Sequence, residues 1–230
     1  MEENTNINSI GYRKEIVVSA VIALGFIAIT VGVILLLDTI KSGGNKAAGA
    51  TSSDASNDDM ASMHAPPAPA DNTKFNSLLN NSAPDFNLES FSGERVSLSD
   101  LNGKNVVLFF SEGAMCYPGC WAQIDAFVDD AKKFAGKNTE VYTVVVDPKR
   151  DWQGAVDQDK KMASANVLLD IGGKVSSVYG MLTVDSSMHR GQFPGHTYVI
   201  IDKEGVIRYQ LDDPGMGINN GQLLAQISKL

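Results

Sequence analysis

The sequence predicts an α/β fold, a sheet flanked by helices, preceded by one transmembrane helix. Three observations predict it. Residues 16–37, IVVSAVIALGFIAITVGVILLL, contain no charge. Residues 42–74 contain no Leu, Ile, Val, Phe, Tyr or Trp. From Phe75 onward, short apolar runs alternate with stretches of helical period, the pattern of strands interleaved with helices.

The apolar segment comes first. As a helix, residues 16–37 measure about 33 Å, matching a hydrocarbon core of about 30 Å. A signal-peptide core is usually about 7–15 residues, so the segment is expected to remain as an anchor. Arg13 and Lys14 stand immediately before it, whereas Asp38 intervenes before Lys41 and Lys46. The positive-inside rule then places residues 1–15 in the cytoplasm and the rest outside it, a single-pass membrane protein with its folded domain extracytoplasmic. Residues 38–74 are rich in Ala, Ser, Gly, Asp and Asn and are expected to be a disordered linker, since they cannot bury enough apolar surface to fold. The folded domain is expected over residues 75–230. A net charge of −8 argues against nucleic acid as a partner.

Within the domain, strands are expected at residues 85–88 and 96–98, with a helical turn at 97–101. The run VVLFF, residues 106–110, reads as a strand covered on both faces. A turn at 111–117 follows. Pro118 suits the first turn of a helix, where its missing N–H costs nothing, and this helix is expected to run to about Gly136. EVYTVVV, residues 140–146, is a second buried strand, ended by Asp147-Pro148. Residues 151–162 suggest a helix on an exposed face, 167–170 a strand, and 174–179 a helical turn closed by Gly180. Strands at 197–202 and 206–211 are joined by Lys203-Glu204-Gly205, a hairpin signal. A helix over 221–230 closes the chain.

The chain's two cysteines, Cys116 and Cys120, both lie in the turn after the VVLFF strand. Four residues along a helix rise about 6 Å, within the usual disulfide Cα separation of about 4.4–6.8 Å. The pair can therefore open and close a bond with little backbone movement. The free N–H groups and positive end of a helix start favour a thiolate, the form that acts as nucleophile and metal ligand. As a structural staple so short a loop would add only about 2 kcal/mol. The pattern points to a redox-active disulfide or a metal-handling pair, with an inert disulfide in a binding domain as the plainer reading. An oxidising exterior suits such a pair.

APDFNLESFSGERVSLSDLNGKNVVLFF, residues 83–110, and HTYVIIDKEGVIRY, residues 196–209, resemble the AhpC/TSA redoxin family, the peroxiredoxin-like branch of the thioredoxin fold. The resemblance covers about residues 81–230. It implies a thioredoxin-like, peroxiredoxin-type sheet flanked by helices, and an antioxidant oxidoreductase that needs no cofactor. Its substrate would be a peroxide or a protein disulfide, and a thiol reductant would regenerate it. Cys116 falls at the position of the attacking cysteine, and Cys120 would resolve the intermediate. His196, in PGHTY, sits where a redoxin site faces its cysteines, and Glu112 is placed to relay protons to a thiol. The chain departs from the family motif P-x-x-x-T-x-x-C, since Phe109 and Gly113 occupy its Pro and Thr positions. The C-x-x-x-C spacing also resembles Sco-type copper chaperones. In that alternative, copper would be bound by Cys116 and Cys120 with His189 or His196, soft and intermediate ligands that suit it.

Overall fold

Residues 68–230 are the part of the chain described by the computed structural model. The expected N-terminal segment 1–15, the expected anchor 16–37 and most of the expected linker lie outside the described residues. Among the described residues, no helix is long and apolar enough to cross a membrane.

In chain order the elements are α1 (Thr73–Ser77), β1 (Asn87–Ser90), β2 (Arg95–Ser97), β3 (Asn105–Phe110), α2 (Gly119–Ala135), β4 (Thr139–Val145), α3 (Lys149–Gln158), β5 (Val167–Leu169), α4 (Lys174–Val178), β6 (Thr197–Ile201), β7 (Ile207–Asp212) and α5 (Asn220–Ile227). Short 3-10 turns occupy Leu98–Leu101, Gly113–Met115 and Lys160–Ser164. The strands form one sheet of order β2-β1-β5-β4-β3-β6-β7. Strand β3 runs parallel to β4 and antiparallel to β6. The expected α/β architecture is therefore present, with the sheet covered by helices on both sides.

Every residue of β3 is buried, because β3 lies mid-sheet and its side chains alternate between two cores. Val107 and Phe109 enter one core with Trp121, Ile124 and Phe127 of α2 and Leu223 of α5. Val106, Leu108 and Phe110 enter the other with Phe75 of α1 and Tyr179 and Met181 after α4. The alternation explains why the run VVLFF carries no polar residue. Phe109 has a further duty, since its ring stacks on Tyr198 at 4.8 Å and meets His196 edge-on at 4.7 Å, centroid to centroid.

Two expectations need correction. The helix expected over 151–162 is α3 followed by a separate 3-10 turn, and it is not merely an exposed helix: Trp152 and Met162 are fully buried. Asp159 divides the two. Its backbone is extended, and its carboxylate accepts the Lys161 N–H at 3.0 Å, the local side-chain bond that competes with helix continuation. The domain also begins before Phe75. The Asp71 N–H donates to the Thr183 carbonyl at 2.8 Å, and the Thr183 hydroxyl donates to the Asp71 carbonyl at 2.7 Å. Backbone pairing, to which composition is blind, fixes the end of the expected linker.

Truncating Phe109 should leave a void between the sheet and α2. Phe109→Ala is expected to lose about 3–5 kcal/mol in denaturant unfolding. A loss below about 1 kcal/mol would show that the ring does not organise this core.

Candidate active site

The register of β3 against β6 sets the site. Phe110 pairs with Thr197 in antiparallel fashion, so the end of β3 lies beside the start of β6. The chain leaving β3 carries the cysteines, and His196 immediately precedes β6. The two must meet at this edge of the sheet.

The route from β3 to α2 is a tight one. Gly113 has φ +70°, and a Cβ there would fall 1.6 Å from Asp147 Oδ2, so glycine is needed for both conformation and space. Asp147 follows β4, the parallel neighbour of β3. Its carboxylate accepts the Ala114 N–H, at 3.2 and 3.3 Å to its two oxygens. Cys116 closes the turn, its N–H donating to the Gly113 carbonyl at 3.1 Å. Cys120 lies in the first turn of α2, its N–H donating to the Cys116 carbonyl at 3.0 Å. A disulfide joins Cys116 and Cys120, with Cα atoms 5.4 Å apart.

The two sulfurs have different surroundings. Cys116 is buried at 4% exposure between the exposed side chains of Met115 (51%) and Tyr117 (73%), and its Sγ lies 4.0 Å from Met216 Sδ. Cys120 has no exposure, and its Sγ lies 3.5 Å from His196 Nδ1. The other face of that imidazole is engaged: Nε2 is 2.7 Å from the Tyr198 hydroxyl and 3.3 Å from the Gly217 carbonyl. Burial lowers the His196 pKa to about 4, against the opposing pull of Asp213 and the Gly217 carbonyl. The ring is therefore neutral at physiological pH. Burial likewise raises the Asp147 carboxyl to about 6, against the Ala114 hydrogen bond.

Of the residues singled out in the sequence, Cys116, Cys120 and His196 come together. Glu112 does not join them. It is buried, and its Oε1 accepts the Met188 and His189 N–H groups at 2.6 and 3.1 Å, while Oε2 lies 3.1 Å from His189 Nδ1. These bonds anchor the 188–189 loop to the turn, and none reaches a sulfur, which corrects the expected proton relay. His189 is thus partnered with Glu112, and among the described residues no hydrogen bond joins it to Cys116, Cys120 or His196. Among the described residues, no group of three or more His, Cys, Asp or Glu side chains is placed to hold a metal ion. Tyr198, Gln123 and Asp147 are site residues that the sequence reading missed. They come from separate elements, and nothing in their local spacing marks them.

A model of the AhpC/TSA family matches residues 79–210. Peroxiredoxin Q, chloroplastic, of Triticum aestivum is 33% identical over 126 residues, 55% of this chain and 55% of the relative. The 2-Cys peroxiredoxin BAS1, chloroplastic, of Spinacia oleracea is 35% identical over 151 residues, 61% of this chain and 54% of the relative. The chain thus spans about half the length of the curated relatives it matches. The solved structure of the mitochondrial 2-Cys peroxiredoxin from Plasmodium falciparum superposes with a TM-score of 0.56 at 26% identity, covering 66% of this chain and 93% of that one.

The two shifted groups have opposite linkage to stability. Asp147 keeps its proton in the fold up to a pH of about 6, so its contribution is present below about pH 4 and lost as pH rises through 6. His196 is neutral in the fold down to about 4, whereas an unfolded imidazole protonates near 6.5. Its contribution is present above 6.5 and lost as pH falls through that window. Each is on the order of 3 kcal/mol at most, and in the oxidised chain they offset one another between pH 4 and 6. Denaturant unfolding at stepped pH should therefore show Asp147→Asn gaining stability from pH 4 to 6.5 and His196→Gln losing it from pH 4 to 6. Two variants with the parent's pH dependence would show that neither group is shifted as described.

Proposed function

Because the chain belongs to the AhpC/TSA family, we propose that it is a thiol-dependent peroxidase in which Cys116 attacks the peroxide and Cys120 resolves the product. The observation that carries this reading is the position of the disulfide at the start of α2, with one sulfur next to exposed residues and the other against a neutral imidazole. The Cys116 thiolate attacks a peroxide oxygen. The S–O bond forms, the O–O bond breaks, and an alcohol or water departs after taking up a proton, leaving a sulfenic acid. Cys120 then attacks the Cys116 sulfur. The S–S bond forms, the S–O bond breaks, and water leaves. An external thiol reopens the disulfide through a mixed disulfide.

Two features support Cys116 as the attacking group. Cys116 is buried but keeps 4% of its surface exposed, between the exposed Met115 and Tyr117, while Cys120 keeps none. The adjacent helix start favours its thiolate. The curated relatives are peroxiredoxins, which favours a peroxide over a protein disulfide as the oxidant. The apolar segment 16–37 and the basic pair Arg13 and Lys14 support membrane tethering, with the domain held outside the cytoplasm on the linker.

Steady-state consumption of hydrogen peroxide by the full-length chain, with dithiothreitol as reductant, tests the assignment. Cys116→Ser should fall to background, at least a hundredfold down, and His189→Ala should stay within about twofold of the parent. Full turnover by Cys116→Ser would refute the assignment.

A further inference from the structure

We propose that Gln123 fixes the tautomer of His196, so that Nδ1 is the base that takes the proton from Cys120 when the disulfide closes. The inference rests on the thiol redox reading and adds to it a base and a positioning residue.

Hydrogen-bonding groups with only one possible role decide the tautomer. The Asn219 backbone N–H can only donate, and it meets Gln123 Oε1 at 2.7 Å. The atom facing it is therefore the amide oxygen, and Gln123 is not flipped. The opposite end agrees, since Gln123 Nε2 donates to Asn220 Oδ1 at 2.7 Å, and Asn220 Nδ2 donates to the Ala126 carbonyl at 2.8 Å. The Tyr198 hydroxyl has two acceptors within reach of its single proton, Gln123 Oε1 at 2.9 Å and the Gly217 carbonyl at 3.3 Å, and the nearer takes it. The Tyr198 oxygen is then left as an acceptor. Asn219 Nδ2, itself oriented by a 2.8 Å bond to Asp213 Oδ2, donates to that oxygen at 3.3 Å.

His196 Nε2 consequently faces two acceptors, the Tyr198 oxygen at 2.7 Å and the Gly217 carbonyl at 3.3 Å. A carbonyl oxygen has no proton to give, so Nε2 carries the hydrogen. The ring is neutral, so Nδ1 has a lone pair, and that lone pair meets Cys120 Sγ at 3.5 Å. Once the disulfide is reduced, the Cys120 S–H has an acceptor inside a site that excludes water. During closure the proton passes from Cys120 to Nδ1 as the sulfur attacks Cys116. The resulting imidazolium returns it to the departing hydroxide, giving water. Phe109, stacked on Tyr198 and edge-on to His196, limits rotation of both rings.

Gln123 touches no reacting atom. Its role is to hold the tyrosine proton away from Nε2. Without that acceptor the Tyr198 hydroxyl keeps only the longer contact to the Gly217 carbonyl, at 3.3 Å, and can turn its proton onto the nearer Nε2, at 2.7 Å. Nδ1 would then carry the imidazole hydrogen and the base would be lost.

The first test needs no turnover. In the 15N-labelled, oxidised full-length chain, the His196 imidazole shifts, assigned by their loss in His196→Gln, should show a protonated Nε2 and a bare Nδ1 at neutral pH. A protonated Nδ1 would overturn the proposal. The second test measures closure of the Cys116–Cys120 bond after one equivalent of hydrogen peroxide, by quenching and intact mass. Gln123→Leu should shift the His196 tautomer toward Nδ1–H and slow closure on the order of tenfold. In Gln123→Leu/Tyr198→Phe no hydroxyl proton remains to compete for Nε2, so the tautomer and the rate should recover. A double variant at least as slow as Gln123→Leu would mean that Gln123 acts only through packing, and the proposal would fall. A chain that did not react with peroxide would count against the peroxidase reading, and the tautomer measurement would still stand.

Discussion

Strand β3 is buried on both faces and hydrogen-bonded along both edges, and its pairing with β6 dictates the rest of the site. Parallel pairing with β4 sends Asp147 to the same end of the sheet as the cysteine turn. Antiparallel pairing with β6 brings the start of that strand, and His196 with it, to the same place. A one-residue slip of β6 would turn His196 and Tyr198 to the opposite face. Phe109 resists such a slip by filling the space between those two rings and α2. The cysteine pair thus depends on register more than on any contact of its own.

The polar groups behind Cys120 are buried at a cost that only hydrogen bonding offsets. His196, Tyr198, Gln123 and Asn220 all lie in the interior, and each is met by partners of the right sense. Satisfied networks of this kind hold one geometry. Neutral His196 avoids the larger penalty of a buried charge, and the Asp147 carboxylate is met by the Ala114 N–H. The arrangement leaves a lone pair directed at one of the disulfide sulfurs. Glu112, also buried, is met by two backbone N–H groups and His189. It stabilises the loop beside the turn.

Much of this was legible in the sequence. VVLFF announced a central strand because a strand covered twice has no reason to carry a polar residue, and the two cysteines stood alone in the turn that follows it. His196 was legible from its place just ahead of the hairpin, one residue from a strand bound to pair with the centre. What was not legible depends on tertiary contacts. Gln123 looks like a surface residue of an amphipathic helix until α5 covers it. Tyr198 looks like one more apolar strand residue. Asp147 reads as the usual Asp-Pro strand ending, and only the left-handed backbone of Gly113 beneath it shows why its carboxylate lies there. Glu112 reads as a relay because it precedes Cys116 by four residues, but its hydrogen bonds go to Met188 and His189. Trp152 stands among the polar residues Arg150, Asp151 and Gln153, so nothing local marks it as buried.

The central claim is that Cys116 receives the peroxide oxygen and Cys120, backed by His196, removes it. The most direct measurement is to mix the reduced full-length Cys120→Ser chain with one equivalent of hydrogen peroxide, trap with dimedone, and locate the adduct by peptide mass. A stable sulfenic acid on Cys116, in near-stoichiometric yield, is the predicted result. No adduct on Cys116, together with a sulfenic acid on Cys120 in the reduced Cys116→Ser chain, would contradict the account and exchange the roles of the two cysteines.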